Sequence, residues 1–338
     1  MAATFSTVTA MTLADMSRRY MSEDKKLATQ INQLKKDDPI LEHALWIATN
    51  NIDTHKVNIV SELPTTTWRR LYQGIPYDKG RTTRVAEPTR QIARRFAIDV
   101  DEMALYEGEA DQNAFRKQEG ELHIESMQNF VAQQMFYGDS DSDSDEVRGL
   151  AARFPYEDGP NTVDGGGSTS TCTSIFAVVW GPKAFFGIYP KKFKAGLRYR
   201  DLGVFDAEDA SGYKYPAIGD EWKWDIGFCL ADWRMASRIC NINVPYLTIK
   251  HGSANFVDLG DMTVDAKNMI PARKRGNIKW YCSQSVMNAL EKQARDPGMV
   301  HLRYGQWQDS KEVLMLHGKP VFQCDSILET ETALGAMP

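Results

Sequence analysis

The histidines His43, His55, His123, His251, His301 and His317 are scattered along 338 residues. None stands in the H-E-x-x-H spacing that sets two imidazoles on one helix face around a zinc ion. His251 and Ser253 are close in sequence, but there is no G-x-S-x-G elbow to present a nucleophile to a base. From Asp139 to Glu146 acids alternate as in the first half of a calcium loop. Position six is then Ser144, where the turn needs glycine, and position twelve is Leu150, where a bidentate glutamate is needed. Asp164 to Ser170 is rich in Gly, Ser and Thr, yet no Gly-Lys-Ser/Thr closes a phosphate loop. The cysteines Cys172, Cys229, Cys240, Cys282 and Cys324 are odd in number and form no C-x-x-C. They read as buried free thiols of a chain folded in a reducing compartment. These residue types predict no catalytic constellation, metal site or cofactor, and the chain is expected not to be an enzyme.

The basic residues are distributed differently. Arg69, Arg70, Lys79, Arg81, Arg84, Arg90, Arg94 and Arg95 fall within 27 positions, opposed only by Asp78 and Glu87. Three readings are open: a solvated basic face, a nucleic-acid grip with Trp68 and Tyr72 stacking bases, and an arm that docks on an acidic protein surface. The formal net charge of −5 over the whole chain argues against a dedicated nucleic-acid binder.

The element that must position these residues is a long hairpin. His55 to Leu63 alternates Val57 and Ile59 with Lys56 and Asn58, the period of a half-buried strand. A returning arm runs from Arg81 through Val85 to Ile92, and Pro64, Gly74, Pro76 and Gly80 punctuate the tip. Each arm of about ten residues reaches roughly 33 Å. A lone two-stranded ribbon of that length is marginal in water, and this one carries Trp68, Leu71, Tyr72, Ile75 and Tyr77 near its end. Some surface beyond the hairpin must cover them.

Apolar residues make up 42% of the chain, enough for a substantial core. No run of eighteen apolar residues spans a membrane, and the N-terminus lacks a secretory pattern. A polar helix is expected over 12–36 and a short one over Ile40 to Ala48. A long helix is expected from Asp111, as its cap, to Tyr137, with Phe115, Leu122, Ile124, Met127, Val131, Met135 and Phe136 inward. Strands follow at Ser174–Trp180, Ala184–Tyr189, Tyr213–Ile218, Glu221–Leu230 and Trp233–Ile242, and they read as an antiparallel meander. From Asn255 the pattern becomes helix–strand: a helix at Phe256–Met269, a strand at Ile278–Cys282, a helix from Ser285 to Ala294 capped by Ser283, then short strands.

This order of parts resembles the major capsid proteins of tailed bacteriophages with the Hong Kong 97-type fold, in their short-tailed-phage branch. Leu63–Gly74 is similar to that branch's hairpin tip. Trp180-Gly, Gly187–Pro190, Lys194–Leu197, Asp201–Gly203, Lys223–Gly227 and Asp232–Arg234 are similar to its sheet region. The resemblance implies an α+β fold with an N-terminal arm (1–50), an extended hairpin or E-loop (51–98), a peripheral domain with spine helix 111–137 and an antiparallel sheet (99–250), and an axial domain (251–338). Because the strand-rich block precedes the helix–strand tail, a permuted domain order is expected. A chain end beside the spine helix would refute that order.

The resemblance further implies hexamers and pentamers that close an icosahedral head around double-stranded DNA. It places the protein in the virion capsid, assembled in the bacterial host cytoplasm. Expected partners are other copies, DNA on the inner face, a portal, a separate scaffolding protein (the N-terminal arm being short) and, in some heads, a decoration protein, with no membrane. The hairpin contact would use Trp68, Arg69, Arg70, Leu71, Tyr72, Arg81 and Arg84. The acidic counter-surface would include Glu119, Glu121, Asp139, Asp141 and Asp143. A nucleic-acid binder using the basic hairpin, or a cargo nanocompartment shell of the same fold, are the alternatives.

Overall fold

The computed structural model describes residues 38–338 apart from 107, 194–195, 210, 250–252, 295–301 and 308–310. The helix expected over 12–36, most of the N-terminal arm, and His251 and His301 lie outside the described residues. In chain order the elements are α1 (Ile40–His43), β1 (Trp46–Ala48), β2 (Thr54–Glu62), β3 (Arg81–Pro88), β4 (Arg90–Asp99), α2 (Val100–Met103) and α3 (Glu109–Tyr137). There follow β5 (Thr162–Asp164), β6 (Cys172–Val179), β7 (Phe185–Tyr189), β8 (Arg198–Glu208), β9 (Lys214–Leu230) and β10 (Ala236–Asn243). The chain continues with α4 (Leu259–Met269), β11 (Ile278–Cys282), α5 (Gln284–Ala294), β12 (Leu302–Trp307), β13 (Lys311–Leu316) and β14 (Lys319–Gln323).

Two compact units are formed, one from 91–130 and 196–224, the other from 36–90, 131–195 and 225–338. In the first unit β8 runs antiparallel to the opening part of β9, from Arg198 opposite Lys223 to Glu208 opposite Lys214. β4 also borders β9. Phe96 of β4 stacks on Trp222 of β9 at 5.3 Å between ring centres, and His123 of α3 stacks on Phe96 at 5.2 Å. Ile98, Met103, Tyr106 and Phe115 form the buried cluster beside them. The helix begins at Glu109, so Asp111 sits in its first turn rather than capping it.

In the second unit β6 is buried along its whole length, as a strand in the middle of a covered sheet must be. The sheet order is β12-β13-β14-β11-β6-β10-β5. It is mixed: β10 with β5 and β11 with β14 are parallel, whereas β6 runs antiparallel to both β10 and β11. Nearby, β7 pairs with the closing part of β9 antiparallel and with β1 parallel. Gly187 permits that β1 contact, because a Cβ there would lie 2.6 Å from the Trp46 ring.

These ladders correct several expectations. The strands do not form a meander: β6 and β7, neighbours in sequence, pair with different partners. Ile40–Ala48 is a four-residue helix followed by a strand, and the strands expected at 213–218 and 221–230 are one continuous β9. Glu329, not Ser283, accepts from Ser285 N at 3.0 Å at the start of α5, while the Ser283 hydroxyl takes a hydrogen bond from Thr173 at 3.4 Å. One sheet draws strands from both sides of the expected division near residue 250. β6 and β10 from the strand-rich block share their sheet with β11 and β14 from the tail, because both edges of a buried strand need hydrogen-bond partners. The chain returns to the end of the long helix, where Tyr137 donates to Glu331 and accepts from Leu328 N.

A buried ion pair holds the return. Arg238 of β10 meets Glu331 at 2.9 Å, both side chains almost fully enclosed, and Arg238 also donates to Ser174 and to the Phe154 carbonyl. Removing one partner of such a pair leaves an uncompensated charge, at a cost of roughly 3–5 kcal/mol. Glu331→Ala is therefore expected to lower unfolding stability by about that amount in urea titration, and a shift below about 1 kcal/mol would show that the tail is not held this way.

Candidate inter-subunit interface

The hairpin has a buried root and a bare tip. At the root, Val57 of β2 packs against Phe186, Ile188 and Cys229, and the His55 ring meets Phe186 edge-on at 5.3 Å. Burial holds the His55 imidazole below its ordinary pKa. Glu87, buried near the end of β3, accepts from Arg153 at 2.6 Å. Arg153 also donates to the carbonyls of Phe228 and Arg148. β2 and β3 then pair antiparallel from Thr54 opposite Pro88 to Glu62 opposite Arg81, with a register shift between Val60 and Glu62. A nine-residue β2 gives a reach of about 30 Å.

The returning arm is shorter than the sequence reading. It stops at Pro88, and β4 leaves to border β9. This removes three arginines from the hairpin. Arg90 donates to the Ser144 carbonyl at 2.9 Å, Arg94 to Ser126 at 3.5 Å, and Arg95 pairs with Glu221 at 2.5 Å. Burial raises the Glu221 carboxyl, but Arg95 and Lys223 outweigh it and hold the pKa below the usual value. On the hairpin itself, Arg81 pairs with Glu62 at 3.2 Å and Arg84 donates to Asn58.

The tip, 63–80, is closed by Asp78. Its carboxylate accepts from Thr65 N at 2.6 Å and from Lys79 N at 2.7 Å, and these two backbone donors hold it below the usual carboxylate range. Arg69 donates to the Gln73 carbonyl, and Tyr72 adopts φ 67°. That conformation is an outlier for a bulky residue, a strain of order 1–3 kcal/mol. Trp68 is 100% exposed, Leu71 89%, Tyr72 104% and Tyr77 105%. The tip thus brings together Trp68, Arg69, Arg70, Leu71 and Tyr72, with Arg81 and Arg84 along the ribbon. Among the described residues nothing covers these apolar side chains.

The acidic residues are placed variously. Asp139 accepts from Asp141 N and the Ser142 hydroxyl, Asp143 accepts from Asp145 N, and Asp141 lies 3.5 Å from Arg148. The 139–146 run is thus a knot of side chain–backbone turns. Among the described residues there is no group of His, Cys, Asp and Glu able to hold a metal. In the first unit, Glu121 on α3 stands 3.9 Å from Lys117, and Glu119 is half-buried. Glu121 borders a cavity of about 420 Å³ between α3 and β8–β9. The five cysteines are free and buried.

Sequence reasoning missed Asp78, Glu87 and Arg153 as parts of this site. A lone acid among basic residues at a turn was the available signal for Asp78. Nothing local marked Glu87 and Arg153, which are 66 residues apart.

The family model described as major capsid protein GP7 matches residues 22–335. A chain in the structure of bacteriophage Epsilon15 is 27% identical, with a TM-score of 0.76, over 99% of this chain and 100% of that one. The bacteriophage JBD30 capsid is similar in fold, with 8% identity and a TM-score of 0.51 over 89% of this chain and 96% of that one. No curated protein matches.

Two outcomes test the geometry of the hairpin. Glu87→Ala strands the Arg153 guanidinium and is expected to cost about 3–5 kcal/mol, read as a drop in the urea midpoint. Asp78→Ala is expected to speed amide exchange at Thr65 and Lys79. In the unaltered chain, the protection at those amides should be full above the ordinary carboxylate pKa of about 4 and lost as pH falls through the depressed folded value. Protection at those two amides that does not change with pH would remove Asp78 from this role.

Proposed function

The chain belongs to the major capsid protein GP7 family, and from that premise we propose how its copies hold together. Its role is structural, as a subunit of a phage capsid. Copies form hexamers and pentamers that close an icosahedral head around double-stranded DNA, assembled in the host cytoplasm with a portal and a separate scaffolding protein. In each contact the hairpin tip lies on a neighbouring copy, using Trp68, Arg69, Arg70, Leu71 and Tyr72, with Arg81 and Arg84 along the ribbon. The observation that carries this reading is the bare apolar tip on a rigid, buried root. A contiguous exposed apolar end marks an interaction site, and closed symmetry repeats each modest contact over the shell.

The nucleic-acid reading is weaker than the sequence suggested. Arg90, Arg94 and Arg95 lie on β4 rather than on the hairpin, and Arg95 is paired with Glu221, so the hairpin itself keeps Lys56, Arg69, Arg70, Lys79, Arg81 and Arg84. The solvated-face reading leaves the indole at position 68 unexplained.

Trp68→Ala tests the proposal. Interface aromatics of this kind contribute about 2 kcal/mol or more, roughly thirty-fold in each contact. The variant should keep the melting temperature of the unassembled chain, because Trp68 is fully exposed. It should fail to form closed particles in electron micrographs. Particles formed as readily as by the unaltered chain would refute the contact.

A further inference from the structure

The cations of the second unit are placed unevenly. From Ala266 to Leu290 the chain carries five Lys and Arg and no Asp or Glu, in a protein whose net charge is −5. Lys267 stands in the last turn of α4, and Arg273, Lys274 and Arg275 fill the connection to β11. The fifth, Lys279, lies over the Phe322 ring at 5.9 Å. Folding adds one more: Lys319, at the start of β14, donates to the Gly276 carbonyl at 2.9 Å.

Neutral partners hold this surface in shape. Lys274 N donates to the Pro271 carbonyl at 2.8 Å and Asn277 N to the Lys274 carbonyl at 3.0 Å, so two successive turns fix the connection. The Arg275 guanidinium donates at 2.8 Å to the Ile270 and Asn268 carbonyls, where it meets the negative end of the helix dipole. His317, in the turn between β13 and β14, meets Thr263 of α4 at 3.2 Å. Lys267 follows Thr263 by four residues and so shares its side of the helix. Asp261 and Asp265, both exposed, lie roughly half a turn round α4 from Thr263, away from this surface. Among the described residues no carboxylate pairs with Lys267, Arg273, Lys274, Arg275 or Lys319. Arg116, Arg153 and Arg238, by contrast, are each matched by an acid.

Five unmatched cations on a fixed surface suit a dense polyanion. Double-stranded DNA presents one negative charge per about 1.7 Å of its axis, and binding releases the counterions condensed on it. A protein partner would need a large apolar or aromatic anchor at the centre of its contact. Met269, 38% exposed, is the one large apolar side chain standing out along this surface among the described residues.

We propose that the α4–β11 connection, with Lys267 and Lys319 beside it, contacts the phosphate backbone of double-stranded DNA and marks the face of the subunit turned toward it. The proposal rests on the reading that the shell encloses DNA, and it names the residues that meet it. Arg273 and Lys274, exposed, reach furthest; Arg275 and Lys319 also brace the connection. Contacts of this kind carry no sequence information.

The test is the salt dependence of binding, read as fluorescence anisotropy of a labelled duplex of arbitrary sequence with the unassembled full chain. Five phosphate contacts predict an affinity that falls about 500-fold from ~50 to ~200 mM salt. Arg273→Gln with Arg or Lys removed at both exposed positions, that is with Lys274→Gln, leaves three contacts and a fall of only about 40-fold. The melting temperature of that variant should not change, because both side chains are exposed. Arg69→Gln with Arg70→Gln, on the hairpin, should leave the salt dependence as it was. An unchanged fall in the Arg273→Gln, Lys274→Gln chain, or a lost one in the hairpin variant, overturns the assignment. So does polyglutamate that displaces the duplex at equal charge concentration, which would point to an acidic protein partner instead.

Particle formation separates this proposal from the shell reading. The Arg273→Gln, Lys274→Gln chain should close particles as readily as the unaltered one. Closed particles from an unaltered chain whose DNA affinity ignores salt overturn the surface and leave the shell standing. An unaltered chain that binds DNA through these residues but never closes particles overturns the shell reading alone.

Discussion

A two-stranded ribbon cannot bury itself, and this constraint shapes the rest of the chain. Each face of β2–β3 meets water, so the ribbon holds its direction only through its root. That root is made as rigid as a buried site can be: Val57 in an apolar cluster, His55 edge-on to Phe186, and Glu87 in a charge pair with Arg153. At the other end Asp78 organises the tip backbone without enclosing any side chain. A rigid stem carrying an unsatisfied end lowers the conformational entropy lost on docking, which is how preorganisation raises affinity without new contacts.

Buried ion pairs recur where distant segments meet. Arg153 joins the hairpin to the carbonyls of Arg148 and Phe228, and Arg238 joins β10 to Ser174, Phe154 and Glu331. Such pairs add little net stability over a well-packed apolar alternative, yet they penalise every arrangement that strands one charge. In this chain both pairs tie an extended or terminal segment to the interior, so a misplaced hairpin or tail would leave an arginine buried alone. The Cys172–Glu331 bridge and the Leu334–Asn241 hydrogen bond extend that tie along the tail.

Charge is partitioned in the same spirit. The excess of acid sits in the segments that build the first unit, and the excess of base sits on the hairpin. Within the first unit the acids nearest the core are consumed by Arg95, Arg116 and Lys223. The acid knot at 139–146 is tied into its own backbone, where it shapes a loop rather than holding an ion. What remains exposed is a moderate field, enough to orient an approaching copy and screened over about 8–10 Å at physiological salt.

Much of this was legible from local pattern. Alternation marked β2, the apolar spacing marked α3, and Trp68, Leu71 and Tyr72 at a turn-rich tip were visible as side chains with nothing nearby to cover them. The run of parts and short phrases such as Leu63–Gly74 pointed to the family. Pairing was not legible. A strand's face can be read from its period, but its neighbours are chosen by hydrogen-bond partners that lie anywhere in the chain. So β6 took β11 from the tail, β4 left the hairpin for β9, and β8, with few inward apolar residues, was missed altogether. The sequence by itself determined which segments are extended, which is the long helix, and that one projection ends bare. Only the tertiary structure decided which arginines are already paired, that Glu87 finds Arg153, and that a hollow opens beside Trp222, because each depends on groups that lie apart in the sequence and are brought together only by folding.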